Sequence, residues 1–77
     1  MNKKELVNAL YDEFDEMESK KKLATIVDSV FSHIAADLMN GVNCKIQDFG
    51  TFKVEWSEKQ YTNILKFIPD KYLKGNF

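Results

Sequence analysis

The side chains with the widest chemical reach in this chain are its lysines: all eleven basic residues are Lys and none is Arg. An ammonium on a flexible stem acts as a point charge, suited to loose phosphate contact and without the planar fork that reads narrow minor grooves and phosphates. Lys20, Lys21 and Lys22 stand together ahead of an apolar run, where the positive end of a helix disfavours cations. A phosphate contact would justify them, and so would offsetting Asp15, Glu16 and Glu18 just upstream. The remaining reactive types are sparse. Cys44 is the only cysteine, which excludes an intrachain disulfide, and it lies in an alternating strand pattern with no histidine nearby, so it reads as an inert thiol. His33 is the only histidine and has no Cys at ligand spacing, which gives no metal site. With no glycine-rich phosphate loop, nucleophile motif or Cys/His cluster, and with its acidic pairs on a helix surface, the chain is expected to be no enzyme and to carry no cofactor.

The elements that must hold these lysines follow from periodicity. Leu6, Val7, Leu10, Phe14 and Met17 recur at helical spacing, with Asn2 as cap and Glu5 three residues on, which predicts a first helix over 3–15. Its outer face carries Asp12, Glu13, Asp15 and Glu16, either a solvated acidic face or a docking surface for a basic partner. Ser19 caps a second helix over 20–40, ended by Asn40-Gly41. After Gly41 the alternation of Val42, Cys44 and Ile46 predicts one strand, Thr51 to Trp56 a second and Tyr61 to Phe67 a third, with Trp56 facing Tyr61 across a short hairpin. Pro69 stops the third strand, and Asp70 to Lys74 is at most a short terminal helix. The order is α-α-β-β-β-α in one domain, residues 1–77, an α+β fold.

Seventy-seven residues allow only a small core. The second helix carries a stripe from Leu23 through Val30, Phe31 and Ile34 to Met39, too wide for one packing partner, which predicts a homodimer built around that stripe. A formal charge of −1 and a pI near 5.7 argue against strong binding to DNA, because non-specific affinity comes mostly from displaced phosphate counterions. No apolar run is long enough to span a bilayer and no apolar leader segment opens the chain, so a cytoplasmic protein with no membrane partner is expected. Phe49, Phe52, Trp56, Tyr61 and Phe67 are suited to stacking on unpaired bases or to filling a core.

Gln47-Asp48-Phe49-Gly50-Thr51-Phe52-Lys53-Val54 resembles the G-F-G-N/T-F-x-V hairpin of the bacterial histone-like HU and integration host factor family. Phe67-Ile68-Pro69-Asp70-Lys71-Tyr72-Leu73-Lys74 is similar to its closing F-[RK]-P-G-x-x-L-K segment, Asn2 to Ala9 to its opening helix and Val27 to Phe31 to its second. The resemblance implies an intertwined dimer, in which helical hairpins support a saddle of antiparallel strands and two long Pro-tipped arms bend DNA from the minor groove. It implies that Phe49, Phe52 and Phe67 join Val30, Phe31 and Ile34 in the dimer core. It leaves Lys3, Lys53, Lys66, Lys71 and Lys74 as DNA-phosphate contacts, with Lys3, Lys71 and Lys74 at basic family positions. This chain departs from the pattern where the arm belongs. No proline lies between Val54 and Leu65, Glu55 occupies a position usually basic, Ile68 replaces a cation and Asp70 replaces Gly.

Two functions follow from the resemblance. One is a nucleoid-associated bacterial protein that binds duplex DNA weakly, without sequence preference and with little bending. The other is an armless interaction module that dimerises with itself or with a full-length HU-like chain and modulates it.

Overall fold

Asn2 opens the first helix by local chemistry: its backbone is extended, and its side-chain Oδ1 accepts the Glu5 N–H at 2.8 Å. A cap of this kind is worth about 1 kcal/mol. The helix, α1, runs Lys3–Phe14. Ser19 does the same for α2, Lys20–Met39, accepting the Lys22 N–H at 3.1 Å. Gly41 ends α2 at φ +77°, with its N–H on the Leu38 carbonyl (3.0 Å) and the Val42 N–H on the Asp37 carbonyl (2.9 Å). That left-handed geometry suits a residue without Cβ.

The computed structural model describes all residues, 1–77, and divides them into two compact units, Met1–His33 and Ile34–Phe77. In the first unit Val7, Leu23 and Val27 are buried, with Leu6, Leu10, Tyr11 and Ala24 packed on them. These three are the only buried hydrophobic residues among the 77. The α2 stripe is wider than this core, as its sequence predicts: Ile26, Val30, Phe31 and Met39 remain exposed.

The second unit is an antiparallel sheet in the order β1 (Cys44–Ile46), β2 (Gly50–Ser57), β3 (Thr62–Pro69), followed by a one-turn helix α3 (Lys71–Lys74). Register fixes its two faces, because side chains alternate along each strand. Phe52 pairs with Cys44 and Phe67, and Val54 with Leu65, which makes one face apolar. Lys45 pairs with Thr51 and Lys53 with Lys66, which gives the other face its polar side chains, set beside Ile64 and Ile68.

Two expectations need correction. The first strand begins at Cys44, not Val42, because the Val42 N–H closes the α2 terminus and the Asn43 Oδ1 instead accepts the Val54 N–H at 3.0 Å. Trp56 does not face Tyr61. It lies opposite Asn63, since the last strand pair is Ser57 with Thr62 and Tyr61 sits in the turn at φ +52°.

Asp70, the departure from Gly, has a structural task. Its carboxylate accepts the Asp48 N–H (2.9 Å) through one oxygen and the Lys71 N–H (2.6 Å) through the other, while its own N–H reaches the Phe49 carbonyl (2.9 Å). It thereby ties the β1–β2 turn, where Asp48 holds φ +63°, to the start of α3.

Candidate nucleic-acid interface

The polar sheet face gathers cations from all three strands. Lys45 comes from β1, Lys53 from β2 and Lys66 from β3, and Lys53 and Lys66 are direct cross-strand partners. Like charges placed opposite each other destabilise a sheet. Glu55, one alternation along β2 on the same face, relieves this. Its Oε1 lies 3.0 Å from Lys53 Nζ and its Oε2 lies 2.9 Å from Lys66 Nζ. The hydrogen bond from Lys66, then that from Lys53, holds the Glu55 carboxyl below the ordinary glutamate range, so Glu55 stays ionised.

The five lysines read from the sequence therefore fall into different settings. Lys53 and Lys66 share the polar face and one carboxylate. In the helical unit Lys3 Nζ is 2.8 Å from Asp28 Oδ1, an exposed pair. Lys71 and Lys74 project from α3, exposed and in its last turn, where cations suit the free carbonyls. Lys45 was missed by sequence reasoning. Its signal was present in the alternation, since Cys44 and Ile46 on the apolar face place the residue between them on the polar one.

Lys20 to Lys22 divide between the two readings open to them. Lys22 pairs with Glu18 at 3.3 Å, which is local offsetting. Lys20 sits 5.2 Å from the Tyr11 ring centre, and with Lys3, Lys4 and Lys21 it rims a shallow depression of about 440 Å³ floored by Val7 and Ala24. Asp12, Glu13, Asp15 and Glu16 are all exposed.

On the opposite sheet face the rings of Phe52 and Phe67 lie 5.0 Å apart, Phe49 and Phe67 5.3 Å, and Phe49 and Phe52 6.4 Å, all tilted. Such geometry is favourable for aromatic pairs. The cluster is open: Phe49 and Phe67 are 44% and 41% exposed. Val30 and Phe31 are exposed on α2, and Ile34 is half-buried. Trp56 and Tyr61 are exposed near the β2–β3 link, which is residues 58–61 and nothing longer. Cys44 is half-buried in β1, and His33 is exposed on α2. No helix is long and apolar enough to cross a membrane.

A helical pair, a three-stranded antiparallel sheet and a short closing helix make up the fold of the small bacterial histone-like proteins. The family model described as "Bacterial DNA-binding protein" matches residues 1–66. Among solved structures, HU from Thermotoga maritima superposes with a TM-score of 0.77 at 32% identity, covering 99% of this chain and 97% of that one. A point mutant of the same protein reaches 0.81, also at 32% identity and with the same coverage. An Anabaena HU–DNA cocrystal structure matches with a TM-score of 0.78 at 20% identity, over 99% and 96% of the two chains, a likeness of fold alone. No curated protein matches. The chain belongs to the bacterial DNA-binding protein family, that of HU and integration host factor, whose members are architectural proteins and not enzymes.

Proposed function

We propose that this chain is a homodimeric, nucleoid-associated member of the family that binds duplex DNA weakly and without sequence preference through lysine–phosphate contacts, with little bending. The single observation that carries the reading is the polar strand face, on which Lys45, Lys53 and Lys66 converge while the β2–β3 link is only residues 58–61. Lys71 and Lys74 on α3 and Lys3 on α1 supply further phosphate contacts. Ammonium groups without a guanidinium give contacts that depend on salt and ignore sequence. A link of this length, with no proline in it, has no wedge to insert between base pairs. The Anabaena relative was crystallised with DNA, which agrees with this reading. The site of action is the nucleoid in the bacterial cytoplasm.

Dimerisation supports the same reading. Three buried hydrophobic residues stand against sixteen large ones left exposed, too small a core for 77 residues to be stable alone. A second copy covering Val30, Phe31, Ile34, Phe49, Phe52 and Phe67 completes one domain from two chains.

The observation favouring the alternative, an armless module that pairs with a longer HU-like chain, is that Glu55 occupies both Lys53 and Lys66 in a chain of net charge −1. Fluorescence anisotropy on an arbitrary labelled duplex, titrated with salt, separates the two. Binding should weaken steeply with salt, and neutralising Lys71 and Lys74 together (Lys71→Gln, Lys74→Gln) should lower the log–log salt slope by roughly 1 for each phosphate no longer neutralised. Absence of binding at low salt would exclude the DNA reading and leave the partner-chain one.

A further inference from the structure

The pairing of Glu55 with two lysines on different strands has a consequence beyond sheet stability. We propose that Glu55 is an internal competitor for DNA phosphate: it holds the Lys53 and Lys66 ammonium groups against the strand face and sets the affinity of that face for duplex low. The inference rests on the DNA-binding reading and deepens it. Three observations support it. Both carboxylate oxygens are used, one for each lysine, at 3.0 and 2.9 Å, so one group engages two cations as a bridging phosphate would. Lys53 and Lys66 are direct cross-strand partners, and without a shared anion their repulsion would turn both ammonium groups outward. The Glu55, Lys53 and Lys66 side chains are 37%, 42% and 54% exposed, so a phosphate has access to the same cations. Lys45, on the same face, is exposed and outside this bridge. Binding at this face must therefore break two ion pairs before two phosphates can be engaged, whereas binding through Lys71 and Lys74 breaks none.

The bland reading is that Glu55 only steadies the strand pair. The two readings diverge for Glu55→Gln, because loss of a purely structural bridge leaves affinity unchanged or lower. We expect Glu55→Gln to bind an arbitrary duplex roughly tenfold more tightly at low salt, from release of two exposed ion pairs, with a salt slope steeper by about 1 to 2. Asp12→Asn, the same change of charge on exposed α1, should shift affinity less than about twofold through bulk charge alone. Adding Lys53→Gln and Lys66→Gln to Glu55→Gln should erase the gain. In the unsubstituted protein, the Glu55 side-chain carboxyl ¹³C resonance should move on titration with duplex as its lysines are taken, which tests the idea without any variant. An affinity for Glu55→Gln no higher than that of Asp12→Asn, or a Glu55 resonance unmoved by bound duplex, would overturn the inference while leaving DNA binding in place. No binding by either protein at low salt would overturn both.

Discussion

Phe52→Ala is expected to cost about 3–5 kcal/mol, the usual penalty for truncating a packed aromatic residue, and to convert a dimer into unfolded chains at micromolar concentration. Phe52 is the hub of the apolar sheet face: its Cα partners are Cys44 and Phe67, and its ring lies within reach of both Phe67 and Phe49. Removing it strips the Phe67 ring of its nearer aromatic partner, 5.0 Å away, on a face that is already half open. Because Val7, Leu23 and Val27 are the only buried hydrophobic residues of one chain, there is little left to hold a monomer together. Sedimentation equilibrium with circular dichroism reads both effects. The unsubstituted chain should sediment at twice its 9.0 kDa mass. A variant that stays dimeric with an unchanged urea midpoint would place Phe52 outside the shared core.

Gly50→Ala is expected to destabilise by about 1–3 kcal/mol, as overpacking does in a closely fitted site. A Cβ there would come within 2.5 Å of the Phe67 ring tip and 2.7 Å of the Ile68 carbonyl oxygen. The ring can swing aside, but the carbonyl belongs to the β3 backbone beside the first rung of the β2–β3 ladder, Gly50 with Pro69. The ladder must shift to accept a single methyl group. Urea denaturation followed by tryptophan fluorescence of Trp56 would report it, and a midpoint equal to that of the unsubstituted protein would show that the strands approach less closely than described.

What the sequence reveals here depends on how local the physics is. The caps at Asn2, Ser19 and Gly41 were legible because each side chain or glycine acts within about one turn. The polar and apolar sheet faces were legible because alternation needs no knowledge of partners. Cross-strand pairing was not. Setting Trp56 opposite Tyr61 misplaces the register by two residues, a slip that keeps every side chain on its proper face and so leaves no trace in the hydrophobic pattern. That slip hides the pairing of Lys53 with Lys66, and with it the reason for Glu55. Seen along the chain, Glu55 only lowers the charge; seen across the strands, it bridges two cations. Asp70 was opaque for a similar reason, since its turn partner Asp48 lies twenty-two residues away.

We propose that the family scaffold is kept here without the device that bends DNA. End-to-end energy transfer on a short duplex labelled at both termini tests it most directly, at low salt and with saturation established by anisotropy on the same sample. The protein should bind while the transfer efficiency stays that of free duplex, because the link at residues 58–61 offers no wedge and the cost of deforming the duplex is then not offset. A marked rise in transfer on binding would mean a strong bend, with Trp56 or another side chain of the hairpin inserted between base pairs, and would contradict it.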